Sequence, residues 1–139
     1  MMIYFDENMP KHLAKGFEIL QYPEGLKKGC KIEVKYIPEE FDYGVKDVEW
    51  IPILGGQGAC VITQDININR RKHEMELYRK HGLGVFFLRG PSKKQGLSVW
   101  QMLEALSRNW TDITEIALKE KRPFAYLFKT LGSIKKLKF

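Results

Sequence analysis

A single α/β domain with a mostly parallel sheet of about four or five strands is what this sequence predicts, and three observations predict it. Short apolar runs at 2–5, 59–63 and 85–88 alternate with segments of helical periodicity. The runs are continuously apolar, as expected of strands covered on both faces. Glycine and proline clusters punctuate the boundaries between the two kinds of segment.

Met2–Phe5 reads as a buried strand that ends abruptly in Asp6-Glu7-Asn8. Pro10 then suits the first turn of a helix, and Leu13, Phe17 and Leu20 continue at helical spacing to about Leu20. Pro23, Gly25 and Gly29 mark a connector, and Ile32, Val34 and Tyr36 alternate with charged residues as a half-exposed strand stopped by Pro38. Asp47-Val48-Glu49-Trp50-Ile51 starts a helix ended by Gly55-Gly56, and Ala59–Thr63 is the next buried strand. Arg70–His81 reads as a helix stopped by Gly82, and Val85–Leu88 as a strand. Val99, Leu103, Leu106, Trp110, Ile113 and Ile116 describe one long amphipathic helix, or two in succession, up to about Lys121. Trp50, Trp100 and Trp110 read as core anchors on apolar helical faces. Residues 123–139 form a basic, aromatic extension to a domain covering 1–122, expected to pack on it as a hairpin around Leu131-Gly132-Ser133.

At 139 residues the chain can bury a core without staples. Its apolar runs are too short to cross a bilayer, and two isolated cysteines suggest neither a disulfide framework nor a zinc site, so a reducing cytoplasm is expected. The net charge is +6, and four lysines beyond Pro123 (Lys129, Lys135, Lys136 and Lys138) have no acid among them. Such a field attracts polyanions, nucleic acid above all, although charge alone describes a solvated basic surface equally well.

The chemistry lies where apolar strands end in acids. Ligands of open α/β sheets bind outside the carboxyl ends of the strands. Here Met2–Phe5 runs into Asp6, and Ala59–Thr63 runs through Gln64 into Asp65. If those strands are neighbours, both carboxylates enter one crevice, with Asp47 and Glu49 at a helix start as a third source. Carboxylates gathered in this way repel unless a cation neutralises them, and all-oxygen ligands favour Mg²⁺ or Mn²⁺. Each acid also has a structural explanation: Asp6 and Asp47 as complements of helix dipoles, Asp65 as an Asx-turn residue.

Ile3-Tyr4-Phe5-Asp6-Glu7-Asn8-Met9-Pro10, with Leu13-Ala14 after it, resembles the opening of PIN-like domains related to VapC-type toxins. Val61-Ile62-Thr63-Gln64-Asp65-Ile66-Asn67 is similar to their second signature, a strand ending Thr-x-Asp-x-Asp. Between them, Asp47-x-Glu49-Trp50-Ile51 resembles the acid-led helix of that group. The three segments occur in the family's order, and the implied fold covers residues 1 to about 120. The resemblance implies a Mg²⁺- or Mn²⁺-dependent ribonuclease, the toxin of a type II toxin–antitoxin pair, with an antitoxin and a second copy of the chain as partners. It makes Asp6, Asp47 and Asp65 catalytic metal ligands and puts Asn67 at the last acidic position, with Glu7 and Glu49 in reserve. Asn67 carries no charge, so weaker metal affinity is expected there. Asn69, Arg70, Arg71 and Lys72 follow directly and suit the phosphates of a bound RNA; the structural alternative is a solvated helix face with Glu74 and Glu76 as partners. His73 reads as a surface residue.

Two rival functions stand beside the nuclease. Asn67 favours a catalytically weak PIN-like module that binds RNA or a protein. A phosphotransfer enzyme ranks last, because Asp6-Glu7-Asn8 lacks the Asp-x-Asp expected after its first strand.

Overall fold

The computed structural model describes residues 1–64, 68–91 and 96–138, with backbone alone for 68–71. A six-stranded sheet organises the chain: β1 (Met2–Phe5), β2 (Glu33–Tyr36), β3 (Cys60–Gln64), β4 (Gly84–Leu88), β5 (Phe124–Phe128) and β6 (Lys135–Lys136). Their order across the sheet is β2-β1-β3-β4-β5-β6; β1 to β5 are parallel, and β6 returns antiparallel on β5. Residues beyond 123 therefore add two strands to the sheet, with the expected reversal around Leu131–Ser133 between them.

Successive strand residues face opposite ways, and this alternation builds two cores. Ile3, Phe5, Ile62 and Phe86 face α1 (Lys11–Lys27) and α5 (Val99–Lys119), where Leu13, Phe17, Leu106 and Ile113 meet them. Tyr4, Val61, Val85 and Phe87 face the other way, toward Trp50, Ile51 and Leu54 of α3 (Asp47–Gly56) and Tyr78 of α4 (Ile68–Lys80). The single helix α5 opens on a capping box in which Ser98 and Gln101 each bond the other's backbone N–H.

Several expectations need correcting. Helix α1 does not stop near Leu20 but runs through Pro23 to Lys27. The buried Gln21 ties its last turns to the Ile32 carbonyl just before β2 (2.8 Å), and Cys30 N closes the helix end by donating to Gly25 O (2.9 Å). Gly25 is there for close approach rather than for a turn, since a Cβ on it would lie 2.8 Å from Cys30 O. The strand before Pro38 does end, at Tyr36, and Pro38 itself sits in the first turn of an unexpected short helix, α2 (Ile37–Phe41), where its missing N–H costs nothing. Trp100 is no core anchor. It is 79% exposed one residue into α5, whereas Trp50 is buried and Trp110 packs edge-on against Phe17 at 4.7 Å between centroids.

Candidate active site

β1 and β3 are adjacent and parallel, so their carboxyl ends open on the same edge of the sheet. Asp6 stands one residue beyond β1, still tied to the ladder by its N–H to Ile62 O (3.1 Å). By alternation its side chain belongs to the face of Tyr4, which is the face covered by α3 and α4. Asp6 is 7% exposed, and its carboxylate accepts from Glu7 N (2.6 Å) and from the Thr63 hydroxyl (3.0 Å). Burial pushes its pKa up; these two bonds oppose the shift, and the nearby charges of Asp47 and Glu7 add to it.

The β1–α1 loop is stitched to β3. Asn8 Nδ2 donates to Thr63 Oγ1 (2.8 Å), Gln64 N donates to Asn8 Oδ1 (3.2 Å), and the Gln64 amide donates to Asn8 O. The Asp-Glu-Asn stretch thus serves two ends: Asp6 enters the crevice, and Asn8 locks the loop that carries it.

Asp47, the first residue of α3, is half-buried, and its Oδ1 accepts from the Trp50 indole N–H at 3.1 Å. Trp50 is thus both core and positioning residue, a role that reading it from apolar periodicity alone does not reveal. Glu7 is exposed and accepts from Gly44 N (3.2 Å), so it pins the α2–α3 loop; Glu49 is exposed on α3. Lys72 and His73 are exposed on α4. Asp65 and Asn67 lie outside the described residues, as do the side chains of Asn69, Arg70 and Arg71.

One acid escapes the sequence reading. Glu74 enters the sequence reading only through the alternative of a solvated helix face, but it is buried at 7% exposure, and the Tyr78 hydroxyl donates to its Oε2 (3.3 Å). Tyr78 packs between Trp50 and Phe87. Burial raises its phenol well above the usual tyrosine range, and the charges of Glu74, Asp6 and Asp47 add to the shift in that order. Acids from β1, α3 and α4 thus act on one buried hydroxyl. The available sequence signal is Tyr78, an aromatic one helical turn after Glu74, which sets both on the inner face.

A family model described as a PIN-like domain matches residues 1–90, from β1 through the end of β4. The chain belongs to the PIN-like domain family. Neither a curated protein nor a solved structure matches it. The matched stretch carries Asp6, Asp47, Asp65 and Glu74 and leaves α5, β5 and β6 outside it. The α/β architecture, with its mostly parallel sheet between helical layers, is consistent with a PIN-like fold. Among the described residues, no helix is long and apolar enough to cross a membrane.

Among the described residues, the site acids Asp6 and Asp47 offer oxygen donors, the kind that suits a hard divalent cation. Asp6, buried and disfavoured as an anion, is the group a cation would relieve most. Among the described residues, no three His, Cys, Asp or Glu are grouped closely enough to hold a metal by themselves.

Proposed function

We propose that this PIN-like domain is a Mg²⁺- or Mn²⁺-dependent endoribonuclease, acting as the toxin of a type II toxin–antitoxin pair in a reducing cytoplasm. One observation carries the reading: Asp6 is a nine-tenths-buried carboxylate held by Thr63 from the neighbouring strand and facing the charge of Asp47, in a segment that resembles the family's opening motif and lies within the matched stretch. Asp6, Asp47 and Asp65 would hold the ion, with Asn67 as a neutral oxygen donor and Glu7 and Glu49 in reserve. Glu74 adds negative charge from α4 beside them. The chemistry a bound Mg²⁺ or Mn²⁺ supplies is polarisation of a phosphodiester and stabilisation of the charge developing on it.

The chain's own residues do the positioning. The Thr63 hydroxyl and Glu7 N–H favour the ionised form of Asp6 against burial, and the Trp50 indole fixes the orientation of Asp47. Asn69, Arg70, Arg71 and Lys72, at the start of α4, would hold flanking phosphates. An antitoxin and a second copy of the chain are the protein partners this reading implies.

The test is cleavage of single-stranded RNA with Mn²⁺, with Mg²⁺, and with EDTA. Cleavage that requires the metal and disappears in Asp65→Asn supports the reading; cleavage undiminished in that variant refutes the site. A small adjacent gene encoding a DNA-binding protein that suppresses the activity would establish the toxin role. A further outcome concerns pH. Thr63→Val removes a donor that holds the Asp6 pKa down, so the acid limb of the pH–rate profile should move to higher pH. An unmoved limb would separate Thr63 from the ionisation that matters.

Asn67 supports a second reading, a PIN-like module that binds RNA or protein with little turnover. RNA affinity without cleavage, across both metals, would favour it.

A further inference from the structure

Four neighbouring parallel strands, β1, β3, β4 and β5, each end on the same edge of the sheet. The residue immediately after each is, in turn, Asp6, Asp65, Arg89 and Lys129. In the sequence, then, two strands run into acids and two into cations; Asp6, Arg89 and Lys129 are the described members of this series. From the geometry we infer that Arg89 and Lys129 form a phosphate-binding rim for single-stranded RNA, continuing the acidic crevice toward β5. This inference rests on the nuclease reading for its substrate class and extends the phosphate contacts to the side of the crevice opposite α3.

Register and pleat support it. Leu88 pairs with Phe128, so Arg89 and Lys129 leave the sheet at the same level. Arg89 continues the alternation of Val85 and Phe87, and Lys129 that of Ala125 and Leu127; all four of those residues line the core shared with α3 and α4. That is also the face of Asp6. Strands lie about 4.8 Å apart, which puts β4 roughly 10 Å and β5 roughly 14 Å from β1 across the sheet. An RNA strand engaged at Asp6 thus reaches both cations with phosphates flanking the engaged one.

Both positions are held by the backbone. Arg89 N donates to Phe128 O (3.0 Å), so the ladder continues one residue past β4. Lys129 O accepts from the side chain of Asn109 (2.8 Å), a buried polar residue of α5 that also bonds Ala105 O (2.7 Å). The exit of β5 is therefore fixed, and the Lys129 ammonium leaves it from a defined point. Arg89 and Lys129 are both exposed. Other cations, Lys28 and Lys31 among them, lie at the opposite, amino-terminal edge and serve as the comparison.

The experiment is equilibrium binding of a fluorescein-labelled single-stranded RNA in EDTA, where cleavage does not interfere, over a series of salt concentrations. Arg89→Ala/Lys129→Ala should weaken binding by about tenfold, and the log–log salt slope should fall by about 1.4, the release expected from two phosphates on a single strand. Lys28→Ala/Lys31→Ala should keep wild-type affinity and slope. Circular dichroism and melting curves matching wild type would show that both variants fold. Unchanged affinity and slope in the rim variant overturn the inference, as does an equal loss in the comparison variant, which would mean a diffuse field. Absence of measurable RNA binding by the wild-type chain overturns it as well. Cleavage with Mn²⁺ is measured separately: active enzyme with an unaffected rim variant refutes the rim alone, whereas a working rim without cleavage refutes the nuclease reading alone.

Discussion

Asp6→Asn is expected to abolish metal-dependent RNA cleavage while making the metal-free protein more stable at neutral pH. Removing a carboxylate that helps stabilise charge on a phosphate in flight is worth several kcal/mol, or about 10²- to 10³-fold in rate. The stability change has the opposite sign. Burial raises the pKa of Asp6 above its ordinary value of 3.8, so the native state binds this proton more tightly than the unfolded chain does. The stability linked to that proton is complete below about pH 4 and is lost as pH rises through the folded-state value. At neutral pH the ionised group therefore works against folding, and asparagine, of nearly the same shape, lacks that charge. Its amide oxygen still accepts from Glu7 N. Melting curves in EDTA should put the variant above wild type at pH 7–8, with the gap closing toward pH 4, and Mn²⁺ should raise the melting temperature of wild type more than that of the variant. A variant less stable than wild type at pH 7 would show that the carboxylate is a structural anchor, and wild-type cleavage by it would remove Asp6 from the site.

Gly55→Ala should be the most damaging small substitution in the helical layer. A Cβ at Gly55 would lie 2.2 Å from the His81 carbonyl oxygen, a backbone atom at the exit of α4 that cannot simply rotate away. The carboxyl ends of α3 and α4 meet at this point, and their amino ends carry Asp47 and the basic start of α4 to the functional edge. Helix propensity alone would make the change favourable by up to about 1 kcal/mol. Overpacking costs about 1–3 kcal/mol, occasionally more, and here it falls on backbone, so the net effect should be destabilising. For a domain of this size the melting temperature should drop by roughly 5–10 °C. Gly56→Ala is the internal comparison: nothing lies within 4 Å of its added Cβ, and it should be neutral or slightly stabilising. Equal melting temperatures for the two variants would show that the α3–α4 approach is not tight at Gly55.

The most legible parts of the fold were those with a local cause. β1, β3 and β4 are buried on both faces, so their residues are continuously apolar, and a run of that kind needs no knowledge of its neighbours to be recognised. An acid directly after such a run is equally local, which is why Asp6, and in sequence Asp65, stood out. α1 outruns its local breakers, Pro23 and Gly25, because Gln21 bonds Ile32 beyond the helix and Cys30 N closes the helix end on Gly25 O. Trp100 falls on the apolar periodicity of α5, yet at the first turn nothing among the described residues covers that position.

The chain's local chemistry alone marks β1, β3 and β4 alternating with helices, the strand ends that bear acids, and the motifs from Asp6 to Asp65 that resemble the family's. Those follow from nearest-neighbour chemistry: apolar continuity, turn residues and spacing along the chain. Folding in three dimensions sets β1 beside β3, turns Glu74 inward, gives Trp50 and Tyr78 a carboxylate each to hold, and brings Arg89 and Lys129 to the edge of Asp6. Each of these depends on which strand lies beside which and which face a helix turns to the sheet. Contacts between residues tens of positions apart set both, and composition and local periodicity do not record them.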